Sequence, residues 1–336
     1  MKRFFLFLLM IAVLSSFAFA GGQPEGARAG RFNAIMGSSS LGGSWYPFAS
    51  RLAGVAMKYG NVIVTVQATG GGIENVRLMK QGQFDMGLCE PNVANYAVMG
   101  TDVFKDEGPG AYDNLRFLFN MYPLPLTAVV HKDGPIKEMW DFDSRKSGRR
   151  YSFSPGSPGS GDESSWAEVF AVYGIRRQDM TWRPLSHNER VMAFKDRIID
   201  CVGFETAQPA GAIIELSAQN PIRILEIKGA ERDKILEELP WYDKYTLPAG
   251  MYNGQDEEVE TIFLGGFALA NDNVPEDFVY AYVSSVLGPG LSEVQSVFPV
   301  AKEFNLDNAM RTNAYPGTIP YHPGAIRFYK EKGLIK

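Results

Sequence analysis

Two short segments, KQGQFDMGLCE (residues 80–90) and KDRIIDCVGFE (residues 195–205), repeat one pattern far apart in the chain. In each segment a lysine is followed five residues later by an aspartate, and an apolar run then ends in a glutamate. The run after each aspartate has the length and composition of a buried strand. The repeat therefore predicts two similar structural units rather than one long sheet.

Strand-like and helix-like segments alternate around both copies of this pattern, which is typical of mainly parallel α/β sheets flanked by helices. We predict strands at residues 32–37, 62–70, 84–90, 149–156, 180–186 and 198–205, and helices at residues 46–60, 74–82, 163–174 and 188–196.

Two extended segments are suited to connect the units. MYPLPLTAVVHKDG (residues 121–134) is interrupted by prolines, and VETIFLGGFALAND (residues 259–272) provides a return path. We therefore predict a first lobe at residues 31–124 plus 262–336 and a second lobe at residues 125–261, with a ligand cleft between them.

Composition excludes some classes of function. The chain has 336 residues, of which 45% are hydrophobic, and this is enough to form a large core. Its net charge is −5, with acidic and basic residues interspersed, so there is no basic stripe to bind nucleic acid. We predict a small-molecule partner.

The N-terminus has the pattern of an export signal. Lys2 and Arg3 precede the apolar run FFLFLLMIAVL (residues 4–14), and Ala18-Phe19-Ala20 gives the small-x-small pattern that signal peptidase recognises. The alternative, a membrane anchor, would require a longer apolar run. We predict a signal peptide at residues 1–20, cleavage after Ala20, and a periplasmic protein.

Cysteine and histidine are too sparse for a metal site built on those residues. Cys89 and Cys201 fall in different predicted lobes, which favours two buried free thiols over a disulfide. The histidines, His131, His187 and His322, are scattered, and the acidic residues show no ligand spacing in sequence. We predict no metal and no cofactor.

Small and hydroxyl-bearing residues gather in the loops that follow the predicted strands. Glycines let backbone N–H groups approach a ligand, and helix N-termini favour an anionic group such as a carboxylate. These loops are at residues 37–45, 68–75, 89–92, 154–164, 185–189 and 204–209. They supply the candidate ligand-binding residues Ser39, Ser40, Trp45, Tyr46, Thr69, Asn75, Glu90, Ser157, Ser160, Gly161, Asp162, Glu205 and Gln208.

Each candidate also has a structural interpretation. Ser, Asn and Asp before a helix are ordinary N-caps, Trp45 and Tyr46 suit a core as well as a cleft, and Glu90 and Glu205 suit solvated strand ends. The sequence has no Gly-x-Ser-x-Gly, Walker or Gly-x-Gly-x-x-Gly motif. We therefore predict ligand binding without catalysis.

Over its mature length the chain resembles the TAXI-type solute-binding proteins of TRAP transporters. The resemblance rests on GSSSLGGSWYPFASRLA (37–53), VQATGGGIENVRLMKQGQFDMG (66–87), SPGSPGSGDE (154–163), FKDRIIDCVGFETAQPAGAIIEL (194–216) and IPYHPGAIRFYKEKGL (319–334). It implies a two-lobed type II periplasmic-binding-protein fold that closes on a small solute and delivers it to an ion-driven membrane permease. The family's ligands are glutamate-like amino acids and small carboxylates.

Two acidic residues depart from the family pattern. Asp162 stands where the family usually has threonine, and Glu205 where it usually has an apolar or hydroxyl residue. We expect Asp162 either to cap the helix at 163–174 from outside the cleft or to meet a cationic group, and Glu205 presents the same choice. Acids at the pocket favour a ligand with an ammonium group.

The sequence is also compatible with other functions. The same fold serves binding proteins of ATP-driven importers, exported enzymes and sensor or structural modules, and the fold by itself does not choose between them.

Overall fold

The computed structural model describes residues 32–219, 221–311 and 319–336. The predicted signal peptide lies outside these residues. Twelve strands in this part of the chain form two sheets: β1 Asn33–Gly37, β2 Ile63–Gln67, β3 Met86–Cys89, β4 Leu115–Asn120, β5 Leu124–His131, β6 Ser152–Ser154, β7 Thr181–Trp182, β8 Cys201–Glu205, β9 Ile222–Leu225, β10 Asp243–Leu247, β11 Val259–Leu264 and β12 Phe267–Asn271.

The helices of the described chain pack around these sheets. They are α1 Trp45–Val55, α2 Gly72–Lys80, α3 Pro91–Met99, α4 Ser144–Ser147, α5 Gly161–Val172, α6 His187–Lys195, α7 Gly211–Gln219, α8 Gly229–Glu238, α9 Glu276–Val286, α10 Leu291–Gln295, α11 Leu306–Ala309 and α12 Pro323–Glu331. In the described residues no helix has both the length and the apolar character needed to span a membrane.

The predicted two-lobed α/β architecture is confirmed. The first sheet has the strand order β2-β1-β3-β12-β4, and the second has the order β10-β11-β5-β8-β6-β7, with β9 also paired to β5. We call the parts of the molecule built on these sheets the first and the second lobe. The six strands and four helices predicted around the repeat are all present, within a few residues of the predicted bounds.

Each sheet is mixed, although the sequence predicts mainly parallel sheets. Strands β2, β1 and β3 are parallel, as are β7, β6 and β8. The returning strand β12 is antiparallel to β3, and β5 is antiparallel to β8. Strands β12 and β5 are the ones by which the chain enters each sheet from the other lobe.

The repeated aspartates hold equivalent strands in place. Asp85 Oδ2 accepts a hydrogen bond of 2.8 Å from the backbone N–H of Ile35 in β1. Asp200 Oδ2 accepts one of 2.7 Å from the N–H of Ser152 in β6. The sequence repeat thus corresponds to the same hydrogen bond, from a strand N–H group to an aspartate carboxylate, in each sheet.

The chain passes between the two sheets twice. It leaves the first sheet after Asn120 and joins the second at Leu124, and it returns between Leu264 and Phe267. The predicted lobe boundary after residue 261 falls inside β11. Cys89 and Cys201 lie in different sheets as buried free thiols.

Candidate functional site

The carboxyl ends of β1 and β3 in the first lobe face those of β6 and β8 in the second, and loops from both lobes enclose a cavity of about 40 Å³. It is lined by Ser39, Ser40, Gly43, Ser44, Trp45, Gly70, Gly71, Glu90, Ser157, Ser160, Asp162, His187, Arg190, Glu205 and Thr206. The ends of parallel strands position these groups because loops between strand and helix emerge there.

The two lobes touch around this cavity. The hydroxyl of Ser44 in the first lobe accepts a hydrogen bond of 3.1 Å from Thr206 Oγ1 and one of 3.4 Å from the N–H of Ala207 in the second. A Cβ at Gly42 would lie 2.5 Å from the His187 ring, so the loop of the first lobe lies directly against α6. The cleft is therefore closed.

Three carboxyl groups converge in the cavity. One oxygen each from Glu90, Asp162 and Glu205 lies within 4.8 Å of the other two. Glu90 and Glu205 are buried, with 3% and 7% of their surfaces exposed. Sequence spacing could not reveal this cluster, because the three acids are far apart in the chain and meet only when the lobes face each other.

The environment shifts the pKa of each acid. Burial raises the pKa of Glu90 to about 8, with a further contribution from the nearby Asp162. Burial and the neighbouring acids raise the pKa of Glu205 well above its usual range. Burial also raises the pKa of Asp162, although Arg190 partly opposes that effect.

Of the described residues that line the cavity, Arg190 has the positively charged side chain. Its Nη2 donates to Asp162 Oδ2 at 2.9 Å, its Nη1 donates to the Gly203 carbonyl at 2.9 Å, and its guanidinium lies over the Phe204 ring. Asp162 therefore meets a cation of the protein itself. Burial lowers the pKa of His187 to about 3, so this ring is neutral near pH 7.

Glu90 occupies a space that two glycines leave open. A Cβ at Gly72, the first residue of α2, would lie 1.9 Å from Glu90 Oε2. A Cβ at Gly161, the first residue of α5, would lie 1.9 Å from Glu90 Cδ. Any larger residue at either position would displace this carboxyl group.

The structure brings eight of the thirteen sequence-predicted residues to the cavity: Ser39, Ser40, Trp45, Glu90, Ser157, Ser160, Asp162 and Glu205. The acids Glu90 and Glu205 are buried there, not solvated strand ends.

Asn75 and Thr69 lie outside the residues that line the cavity. Asn75 is fully buried, and its Nδ2 donates to the carbonyls of Ser38 and Leu88 at 2.7 and 2.8 Å. Its Oδ1 accepts from Thr69 Oγ1. These bonds tie the first two strand-end loops to β3, and the ligand-binding role of both residues stays a prediction.

The other three predicted residues also lie outside the cavity lining. Tyr46 is half-buried on α1, and Gly161 lies behind the Glu90 carboxyl group. Gln208 accepts a hydrogen bond from the Tyr252 hydroxyl and lines a separate cavity of about 520 Å³.

Seven residues that line the cavity are not among the thirteen predicted ones. Six of them fall within the predicted strand-end loops: Gly43, Ser44, Gly70, Gly71, His187 and Thr206. Arg190 lies inside α6, one residue after the predicted loop at 185–189. Its position three residues after His187 places both side chains on one face of the helix, and this spacing could have indicated that Arg190 reaches the cavity.

The two lobes and the position of the cavity between them correspond to a fold of the periplasmic-binding-protein type. The chain matches the NMT1-like family over residues 36–333 and belongs to that family.

Solved structures share this architecture at low identity. The periplasmic binding protein BugD is 14% identical, with a TM-score of 0.53 over 90% of this chain and 93% of its own. MatC from Rhodopseudomonas palustris, solved with malate, is 14% identical, with a TM-score of 0.54 over 90% and 96%. A binding component of a phosphonate ABC transporter from Pseudomonas aeruginosa is 10% identical, with a TM-score of 0.51 over 80% and 79%. Likeness at this level concerns the fold alone.

Proposed function

We propose that this protein is an extracytoplasmic solute-binding receptor that captures a small carboxylate-bearing solute and delivers it to a TRAP-type membrane permease, without catalysing a reaction. The observation that supports it best is the enclosed cavity, to which both lobes contribute polar side chains. The TRAP partner rests on the resemblance of the sequence to TAXI-type proteins. The proposal includes lobes at 31–124 plus 262–336 and at 125–261, and periplasmic export with cleavage after Ala20.

The acids favour an amino acid, such as a glutamate-like one, as the solute. An ammonium group has three N–H donors, and the cluster offers three carboxylates. With N–H···O distances of about 2.8 Å, tetrahedral geometry separates the acceptor oxygens by about 4.6 Å. The observed spacing, within 4.8 Å, fits such a group.

Comparing an amine with its deaminated analogue tests this ligand class. We expect L-glutamate to bind the wild-type protein more tightly than glutarate, which has the same carbon chain without the amine. Glu205→Gln removes the carboxyl group that pairs with the amine in this proposal, and it should cost L-glutamate about tenfold or more in affinity while sparing glutarate. The exposed Glu215→Gln is the charge-matched control.

If calorimetric titration shows that Glu205→Gln lowers the affinity for L-glutamate and for glutarate equally, then Glu205 does not recognise the amine. Mass spectrometry of small molecules released from the purified protein by mild denaturation identifies the solute independently. Recovery of that solute unchanged after long incubation with the protein distinguishes a receptor from an exported enzyme.

An ATP-driven importer is a second candidate for the membrane partner, because one structure with this fold is a binding component of an ABC transporter. Reconstitution with each class of permease separates the two candidates, and solute uptake with the ATP-driven permease alone would reject the TRAP assignment.

A further inference from the structure

The three acids of the cavity face one cation of the protein, Arg190. Ionised together, the three carboxylates and this guanidinium would have a net charge of −2, and burial opposes that state, as the raised pKa of Glu90 and of Glu205 indicates. Holding these groups ionised in a closed cleft is costly unless a cation contacts them.

Among the residues that the structure describes, two carboxyl oxygens at this site have no hydrogen-bond partner. Glu90 Oε2 and Glu205 Oε2 are buried and accept no hydrogen bond, and both residues are more than nine-tenths buried. A buried acceptor without a donor is destabilising, so each of these oxygens is suited to accept a cation or a donor from a ligand.

The donor set and its spacing suit a hard divalent cation. Ca²⁺ binds carboxylate and other oxygens at about 2.3–2.6 Å, which places two of its ligands up to about 5 Å apart. Oxygens of Glu90, Asp162 and Glu205 within 4.8 Å of one another can therefore belong to a single coordination shell. Hydroxyl groups of Ser39, Ser40 and Ser157 also line the cavity.

The space allows an ion with little water. The cavity measures about 40 Å³, and by this kind of measure one water needs about 10–15 Å³. Mg²⁺ retains several waters and demands octahedral geometry, whereas Ca²⁺ accepts irregular oxygen shells. The site therefore favours Ca²⁺ over Mg²⁺.

We propose that Glu90 of the first lobe and Asp162 and Glu205 of the second bind Ca²⁺ as an alternative to an ammonium group, so that the ion balances the charge of the carboxylates and bridges the closed lobes. Binding of the metal alone is independent of the proposed function, whereas its competition with the amine of the solute rests on that function.

Thermal unfolding of the mature protein after chelation, with Ca²⁺ or Mg²⁺ added at constant ionic strength, tests this proposal. We expect Ca²⁺ to raise the Tm in a saturable manner and Mg²⁺ to do so more weakly. Glu90→Gln should weaken the Ca²⁺ response at least tenfold, and Glu215→Gln should leave it unchanged. No Tm shift with Ca²⁺, or an equal shift in Glu90→Gln, would overturn the proposal.

A second measurement uses the wild-type protein and so does not depend on the stability of Glu90→Gln. Trp45 lines the cavity, so Tb³⁺ bound there should show tryptophan-sensitised emission. Added Ca²⁺ should displace the Tb³⁺ and remove this emission, and Trp45→Phe should reduce it. Sensitised emission that Ca²⁺ does not displace would count against the site.

Titrating L-glutamate with and without a chelator separates the two proposals. L-glutamate binding without any Ca²⁺ effect would leave the receptor standing and reject the metal. Ca²⁺ binding without any solute binding would do the reverse.

Discussion

Glu90 directly follows β3, Glu205 ends the equivalent strand β8 of the other sheet, and a carboxyl oxygen of each lies within 4.8 Å of the other. Each residue comes five positions after the aspartate that ties its strand to the neighbouring one. The closed cleft thus brings together the last residues of the two sequence repeats.

A larger residue at position 161 should displace the Glu90 carboxyl group from its place near Glu205. In Gly161→Ala the new Cβ would collide with the Glu90 carboxyl group, and overpacking of this kind costs about 1–3 kcal/mol. We expect a lower Tm and weaker ligand binding. Gly211 is a matched control because it also begins a helix, and a Cβ there meets no atom of the described residues within 4 Å. If Gly211→Ala lost as much stability or affinity, the collision would not be the cause.

Truncating Asn75 should destabilise the fold. Asn75→Ala removes the side-chain donor to the carbonyls of Ser38 and Leu88 at a fully buried position, although Thr69 Oγ1 still donates to Ser38. The unfolding free energy of the ligand-free protein should fall by about 1–3 kcal/mol, the cost of leaving a buried polar group unsatisfied. Urea denaturation followed by circular dichroism measures the change. An unchanged midpoint would contradict the structural role.

Glu168 on α5 should help to hold the lobes together. Its carboxylate accepts from Asn92 Nδ2 and the Tyr96 hydroxyl of the first lobe, and from Trp241 Nε1 and the Tyr242 hydroxyl of the second. Glu168→Gln replaces one acceptor oxygen by a donor, so we expect a more open ligand-free protein with a larger radius of gyration in X-ray scattering. Glu163→Gln on the same helix is the control, because its partners Gly159 and Trp182 lie within the second lobe. Equal radii for the two variants would refute the bridging role.

The same carboxyl group should make stability depend on pH. Burial raises the pKa of Glu168 to about 7, although four side chains donate to it. Between about pH 4.5 and 7 the folded state therefore binds a proton that the unfolded state has lost, so this group's contribution to stability decreases as pH rises. The unfolding free energy of the wild type relative to Glu168→Gln should fall over that range. A constant difference would show that Glu168 has the same pKa in both states.

The sequence predicted the fold well and the site only in part. Strands, helices and the repeat were recoverable because hydrophobic periodicity and the Asp85 and Asp200 positions are local signals. The pairing of Asp162 with Arg190 was not recoverable, because it depends on how α6 lies against the second sheet. Asn75 is predicted to bind the ligand because an amide in a glycine-rich loop suits that role, but its buried hydrogen bonds to Ser38 and Leu88 depend on the fold and could not be predicted.

The position of β12 between β3 and β4 has a consequence for the order of folding. During synthesis β4 emerges early, but its place in the first sheet is complete only when Phe267–Asn271 has been made. The strands of the second sheet, from Leu124 to Leu264, form an uninterrupted stretch that is available before β12. Domains generally fold as units in the order of synthesis, so the second lobe is expected to mature first, and the first lobe keeps an unpaired strand edge until the chain returns. A chain with this topology remains incompletely folded until most of it has been synthesised.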